Sequence, residues 1–291
     1  MKSYLLIQHL RVHNANALSS PYTIGFPAMT AWLGAVHALQ RAIQKKGMAT
    51  VFLTKTAVSC HKFLLHSYRG KGDYVNSIIG TANPLKKDGE RSAFIEEARC
   101  DIEISLLIEV SGVDGDNKVE FSTYVQEQLN KMKMAGGDIL SFNGTEVYFV
   151  DDEKEEQERA LIRRLMPGYV LVERRELMTT SMAAGKDALG ALLEHLQVEH
   201  HLNVDEAGNE RWNSVKKEPG WLVPIAVGFQ GVSELGKVKN QRDEQTMHRF
   251  AESVITLGEF KMPCRFKNID KIMWHYSAVP EQNLYVCKNK Q

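Results

Sequence analysis

Over the first 150 residues of this chain the hydrophobic period switches between about 2 and about 3.6 residues in one order: strand, helix, strand, strand, helix, strand. Residues 3–13 alternate, with Tyr4, Leu6, Leu10 and Val12 on one parity and Leu5, Ile7, His9 and Arg11 on the other, the pattern of a first strand. A polar segment, residues 14–27, follows. From Met29 the apolar residues Trp32, Leu33, Val36, Leu39 and Ile43 recur at helical spacing, and Gly47 ends the run behind Lys45 and Lys46. Residues 50–66, rich in Val, Thr, Phe and Leu, predict a second strand.

Residues 67–95 lose periodicity and carry Gly70, Gly72, Gly80 and Gly89, which predicts a long loop or protruding hairpin bearing Arg69, Lys71, Lys86, Lys87 and Arg91. A third strand is expected over residues 99–111. A second helix is marked by Phe121, Tyr124, Val125, Gln128, Leu129 and Met132, capped by Ser122 and stopped by Gly136-Gly137. Asn143-Gly144, between alternating apolar residues, predicts a tight hairpin turn. This order is the split β-α-β-β-α-β unit of ferredoxin-like domains, a topology shared by RNA-recognition domains. Such domains stack bases on sheet aromatics. Here the first strand offers only Tyr4 and the third none, so loops, the first helix and the insertion are the expected binding surfaces.

The expected organisation is an α+β fold with a core over 1–150, the thumb-like insertion 67–95 within it, and an α/β C-terminal part over 151–291 packed on that core. In the latter, the stretch from Asp151 to Gly168, acidic at its start and ending in Arg163, Arg164 and a Pro-Gly break, reads as a solvated helix, and 168–175 as a strand. A further helix is expected over 187–202, and 203–214 reads as a polar linker. Residues 220–229 suit a buried strand broken by Pro224. A helix is expected through Met247, Phe250, Val254 and Leu257, ended by Gly258, and the last strand contains Leu284–Cys287.

Charge is balanced overall, with 36 Lys or Arg against 36 Asp or Glu, yet it is divided along the chain. Residues 1–72 hold nine basic residues and no acidic one, so they carry +9 and the remainder −9. Such asymmetry suits a polyanion partner, because Lys and Arg contacts to phosphate dominate nucleic-acid affinity. Neutralisation of the basic segment by the acidic remainder is the equal alternative at this point. No apolar run reaches the roughly 18 residues of a membrane span, and no export signal is evident. The four cysteines, Cys60, Cys100, Cys264 and Cys287, form no CxxC pair, which suits a reducing cytoplasm and suggests neither zinc nor a disulfide framework.

Walker, GxGxxG, nucleophile-elbow and HExxH patterns are absent, and no cofactor is expected. His200-His201 beside Glu199 has no second ligand cluster to complete a metal site. His37 and Arg41 lie four residues apart on one helix face; with His13 they could serve metal-free RNA cleavage, although structural and phosphate-holding roles are favoured. The segment 14–27 supplies short polar groups from Asn14, Asn16, Ser19, Ser20 and Thr23, stiffened by Pro21 and Pro27, and enters a helix N-terminus. It suits RNA phosphates or splayed bases, and equally a loop that bonds only to itself.

The run NANALSSPYTIGFP followed by HALQR (His37–Arg41) closely resembles the RAMP-type subunit of type I-F CRISPR surveillance complexes, the second Csy subunit, of the Cas-five group. EEARCDIEISLLIEV, MKMAGGDIL, RRLMPGYVLV, PGWLVPIAVGF, VKNQRDEQTMHRF and WHYSAVPEQNLY follow in the family's order and extend the resemblance over nearly the whole chain. It implies a non-catalytic subunit that pairs with the large Csy subunit, holds the 5′ handle of the crRNA and meets the first backbone subunit, with target DNA near the PAM end a further candidate. Asn14, Asn16, Ser19, Ser20, Thr23, His37 and Arg41 would then hold the handle. Arg69, Lys71, Lys86 and Lys87 would clasp the RNA, Gly136 and Gly137 would form the family's glycine-rich turn, and Lys239, Arg242 and Arg249 are second-rank RNA contacts. The rival expectation is a metal-independent endoribonuclease acting on CRISPR precursor RNA; a third is a protein-only adaptor.

Overall fold

The computed structural model describes residues 1–82, 85–95, 97–151, 153–204, 208–241, 243 and 245–289. Its framework is a single antiparallel sheet of eleven strands. In chain order these are β1 (Lys2–Asn16), β2 (Phe52–Leu65), β3 (Arg99–Ser111), β4 (Lys133–Met134), β5 (Gly137–Ser141), β6 (Gly144–Val150) and β7 (Tyr169–Glu173). A separate two-stranded ribbon, β8 (Val198–Val204) and β9 (Glu210–Lys216), precedes the last four, β10 (Trp221–Gly231), β11 (Ala251–Lys261), β12 (Trp274–Val279) and β13 (Leu284–Asn289). The spatial order is β4-β5-β1-β3-β2-β7-β11-β10-β13-β12, with β6 also on β1. The helices are α1 (Met29–Lys45), α2 (Lys118–Leu129), α3 (Glu155–Arg163), α4 (Arg175–Ala183) and α5 (Ala188–Leu196). No helix among the described residues is long and apolar enough to cross a membrane.

This corrects the expected fold. The strands β2, β3, β1 and β6 do lie side by side, but they are not a small ferredoxin-like RAMP core carrying an α/β elaboration. One edge of β2 is paired along its length with β3; the other is shared, Ser59 and Cys60 facing Val170 and Tyr169 of β7 while Thr56 faces Trp274 of β12. Unpaired strand edges are costly when buried, and here C-terminal strands satisfy this one. Strands β2, β7, β11, β10, β13 and β12 consequently form a closed ring of pairings.

The expectation failed because Val254 and Leu257 were read at helical period. They lie instead in β11, whose β-branched Val254, Ile255 and Thr256 pair with β10 from Gly228 to Ile225. Gly258 is no helix stop; a Cβ there would come within 2.9 Å of Leu171 and 3.0 Å of Ile225. The helix expected over 187–202 ends at Leu196, and the polar linker is largely ribbon β8–β9.

The hairpin expected at Asn143-Gly144 is also absent. Strands β5 and β6 run in one direction along β1, Ser141 opposite Arg11 and Gly144 opposite Gln8. Asn143 donates its N–H to the Gln8 carbonyl at 2.9 Å beside His9, whose φ of 49° marks a bulge in β1. That bulge reverses the parity of the strand: Leu5 and Ile7 face the main core before it, Leu10 and Val12 after it. The tight turn lies at Ala135-Gly136, both at positive φ (49° and 78°), between paired Met134 and Gly137. Helix α2 has already ended at Leu129; Ser122 is no cap but donates to the Thr145 carbonyl at 2.9 Å.

The main core lies between the sheet and the apolar face of α1, where Met29, Trp32, Leu33, Val36, Leu39 and Ile43 are buried, with Phe121, Val125 and Leu129 of α2 beside it. On the opposite sheet face, Tyr4, Leu6, Ala57 and Leu107 pack beneath Leu161 and Ile162 of α3 and Ile269 and Ile272. Trp274 is fully buried, and its indole N–H donates to the Leu171 carbonyl at 2.8 Å. Removing it opens a cavity where the ring of strands closes. Trp274→Ala is expected to lower the unfolding free energy by about 3–5 kcal/mol in urea denaturation, whereas Trp212→Ala on the exposed ribbon changes it by less than about 0.5 kcal/mol.

Candidate nucleic-acid interface

At one end of the sheet the end of β1, the start of β3 and the Ala135-Gly136 turn converge. Asn14, at φ 58°, donates its N–H to Asp101 Oδ1 at 2.9 Å, and the Asn16 N–H reaches the Ala135 carbonyl at 2.9 Å. A Cβ on Gly137 would stand 2.5 Å from the His13 carbonyl oxygen and 2.8 Å from the Ala15 nitrogen, so only glycine lets the turn approach β1 this closely. A Cβ on Gly136 would lie 3.8 Å from Asn16 Cβ and 3.9 Å from Arg99 Nη1. The structure therefore brings together Asn14, Asn16, Gly136 and Gly137, and adds Arg99. Sequence reading placed Arg99 only at a strand start. Its guanidinium pairs with Glu97, and its buried Nε has no hydrogen-bond partner among the described residues.

Ser19, Ser20 and Thr23 adjoin this cluster, but their hydroxyls are used within the segment. Ser19 donates to the Phe26 carbonyl at 3.0 Å, and the buried Ser20 and Thr23 hydroxyls meet at 2.7 Å in the small hairpin of Leu18–Ser20 with Thr23–Ile24. The exposed tip residue is Tyr22, 73% accessible, which composition did not single out. The insertion springs from the same end: His66 donates to the Arg99 carbonyl at 2.8 Å and opens the ladder Ser67–Tyr68 with Ser77–Ile78. Arg69 folds back onto the Asp73 carbonyl at 2.7 Å and Lys86 pairs with Glu90 at 3.4 Å, while Lys71 and Lys87 are exposed.

Other expected residues lie elsewhere. His37 and Arg41 are exposed on the outer side of α1, whose C-terminal half is tied to the start of β2 by Gln40 and Gln44, at the opposite end of the sheet. Lys239 is exposed in a C-terminal loop, and Arg249 bonds to Asn283 beside Phe229 and Tyr285. Arg242 lies outside the described residues.

The sheet face away from α1 carries a histidine-rich surface. His9 and His61 stack with centroids 4.3 Å apart; His9 Nδ1 meets Glu103 at 2.7 Å, Lys62 meets the same carboxylate at 3.1 Å, and His61 Nε2 meets Ser105 Oγ at 2.7 Å. His13 and His66 share Asp101, at 2.8 and 3.1 Å. A groove of about 240 Å³ runs here between Arg11, His13, Lys62, Leu64, Asp101, Glu103 and Leu140. His13 and His37 are thus on opposite faces of the sheet and form no acid/base pair. Among the described residues, no three His, Cys, Asp or Glu side chains are placed to hold a metal ion. Of the nine basic residues in 1–72, Lys2, Lys55 and Lys62 pair with acids from later in the chain; the other six meet no carboxylate among the described residues.

The family model described as CRISPR-associated protein (Cas_Csy2) matches residues 5–287. The CRISPR-associated protein Csy2 of Pseudomonas aeruginosa (strain UCBPP-PA14) is 34% identical over 312 residues, covering 98% of this chain and 94% of that protein. The chain belongs to the Csy2 family of CRISPR-associated proteins.

Burial, followed by the neighbouring His9, pushes the His61 imidazole down to about 4 from its ordinary 6.5. Between these values the unfolded chain binds a proton that the folded chain refuses, so stability falls on acidification. The hydrogen bond from His9 holds Glu103 below its ordinary value, so its own loss comes at lower pH. The melting temperature is expected to drop as pH is lowered from 6.5 to 4.5, and His61→Gln to flatten that drop.

Proposed function

We propose that the protein is a non-catalytic RNA-binding subunit of a type I-F CRISPR interference complex, which together with the large subunit holds the 5′ handle of the crRNA and caps the backbone. The observation that carries this reading is the junction of Asn14–Asn16, the Ala135-Gly136-Gly137 turn and Arg99, where exposed backbone, an unpartnered guanidinium N–H and the root of a cationic insertion meet. Phosphate oxygens suit the Arg99 fork, and Asn16, although it bonds to Leu18 at 3.2 Å, remains exposed toward the same side. Tyr22 offers an exposed ring on which a splayed base can stack. The same reading gives Ser19, Ser20 and Thr23 the task of shaping the segment. Arg41 and His37 become outlying contacts, and Lys71 and Lys87 the free cations of the insertion.

The separation of His13 from His37 by the sheet favours holding over cleavage. With the large subunit co-purified, Asn16→Ala combined with Arg99→Gln is expected to weaken handle binding by about tenfold or more, as the loss of charged hydrogen bonds should, while the two proteins still associate. Electrophoretic mobility shifts with labelled handle RNA measure this; an unchanged affinity would sink the assignment. Repeat RNA incubated without metal is expected to stay intact, and site-specific cleavage abolished by His37→Ala would establish the endoribonuclease instead.

A further inference from the structure

A second basic surface lies on the face that carries α3. A cleft of about 260 Å³ opens between the last turn of α3 and the segment 263–267, with Arg159, Arg163, Arg265 and Lys267 around Ile162, Cys264 and Phe266, and no carboxylate in its lining. Arg159 is balanced by Glu155 at 2.6 Å and Glu156 at 3.4 Å. Arg163, Arg265 and Lys267 are exposed and meet no carboxylate among the described residues. They leave about three uncompensated positive charges on one concave surface.

The walls are rigid. Leu161 and Ile162 anchor α3 in the second core, buried Glu158 accepts the Ile269 N–H at 3.1 Å, and buried Pro263 begins the 3₁₀ turn opposite. The negative end of α3 is blunted, since the Leu161, Ile162 and Arg163 carbonyls receive N–H groups from Arg164, Leu165 and Met166. Two guanidinium forks and an ammonium held across a gap of this size match the non-bridging oxygens of a phosphodiester.

We propose that this cleft is a second nucleic-acid site, taking the sugar-phosphate backbone without reading sequence. It rests on the family's place in a nucleic-acid-binding complex, but not on the handle assignment. Ile162 and Phe266 of the cleft belong to the core cluster that also holds Tyr4 and Leu6 of β1, whereas the handle junction begins at Asn14. At about 3.3 Å per residue these points stand roughly 30 Å apart. The site therefore serves a separate stretch of backbone, from the guide RNA beyond its handle or from duplex DNA.

Cys264 is an exposed thiol inside the cleft, and Cys60, Cys100 and Cys287 are buried, so alkylation reports on this place directly. With the 291-residue chain, N-ethylmaleimide labelling of Cys264 is expected to slow in the presence of one of two probes, a handle-free single-stranded RNA or a duplex DNA, and which one identifies the source. Arg163→Gln with Arg265→Gln should abolish that protection and lower the slope of log affinity against log salt by about one per lost phosphate contact, with handle affinity unchanged. No protection by either probe, equal protection by polyglutamate, or an unaltered salt slope overturns the proposal. Protection by a probe in a chain that fails to bind the handle would defeat the handle reading and leave this one standing.

Discussion

The fold depends on the second edge of β2. Its first edge is satisfied by β3, as expected of a strand-strand hairpin with an insertion, but the backbone groups of Thr56, Ser59 and Cys60 on the other side need partners. Two strands from the second half of the sequence share them, β7 and β12, with Trp274 filling the junction and bonding to Leu171. Once that edge is taken, β11, β10 and β13 complete a ring of pairings, and the two halves of the chain share one ladder of hydrogen bonds. Burying an unmatched polar edge costs more than the entropy of these long-range closures.

A second constraint is the paired irregularity of His9 with Asn143-Gly144. Because side chains alternate along a strand, one extra residue moves every later side chain to the opposite face. Beyond the bulge, Leu10 and Val12 continue to feed the main core while His9, Arg11 and His13 emerge on the far face. There they meet His61, Lys62, Asp101 and Glu103, and polar residues scattered between positions 9 and 103 of the sequence become one surface. The same geometry holds Asn14 and Asn16 against the glycine turn.

The site was legible in part. Asn14 and Asn16 stood out as short polar groups, and Gly136 and Gly137 as a helix stop and a glycine-rich turn; the structure brings all four to one junction, where Asn14 and Gly136 take positive φ and Gly137 allows close backbone approach. Arg99 left none: a basic residue opening a strand is unremarkable until a glycine turn lies against it. Ser19, Ser20 and Thr23 were legible as polar and proved to be satisfied within their own hairpin, since short hydroxyl side chains bond to nearby backbone before they reach a partner. The basic cleft beside Cys264 could not be foreseen either, as Arg163 and Arg265 are a hundred residues apart and met only through the second core.

By itself the sequence determined the local elements with strong periodicity: α1 and its buried stripe, α2, the alternating β1 and β3, and the basic character of the first 72 residues. Its resemblance to a CRISPR-associated family also proved correct. Tertiary structure decided what local pattern could not. Val254–Leu257 became a strand because a neighbouring edge was open to it, Asn143-Gly144 became the join between two strands on one edge of β1 because β1 ran on past it, and β2 acquired C-terminal neighbours in place of a free edge. Hydrogen-bond pairing in sheets is non-local, so the period of a short apolar run is settled by the partner it finds.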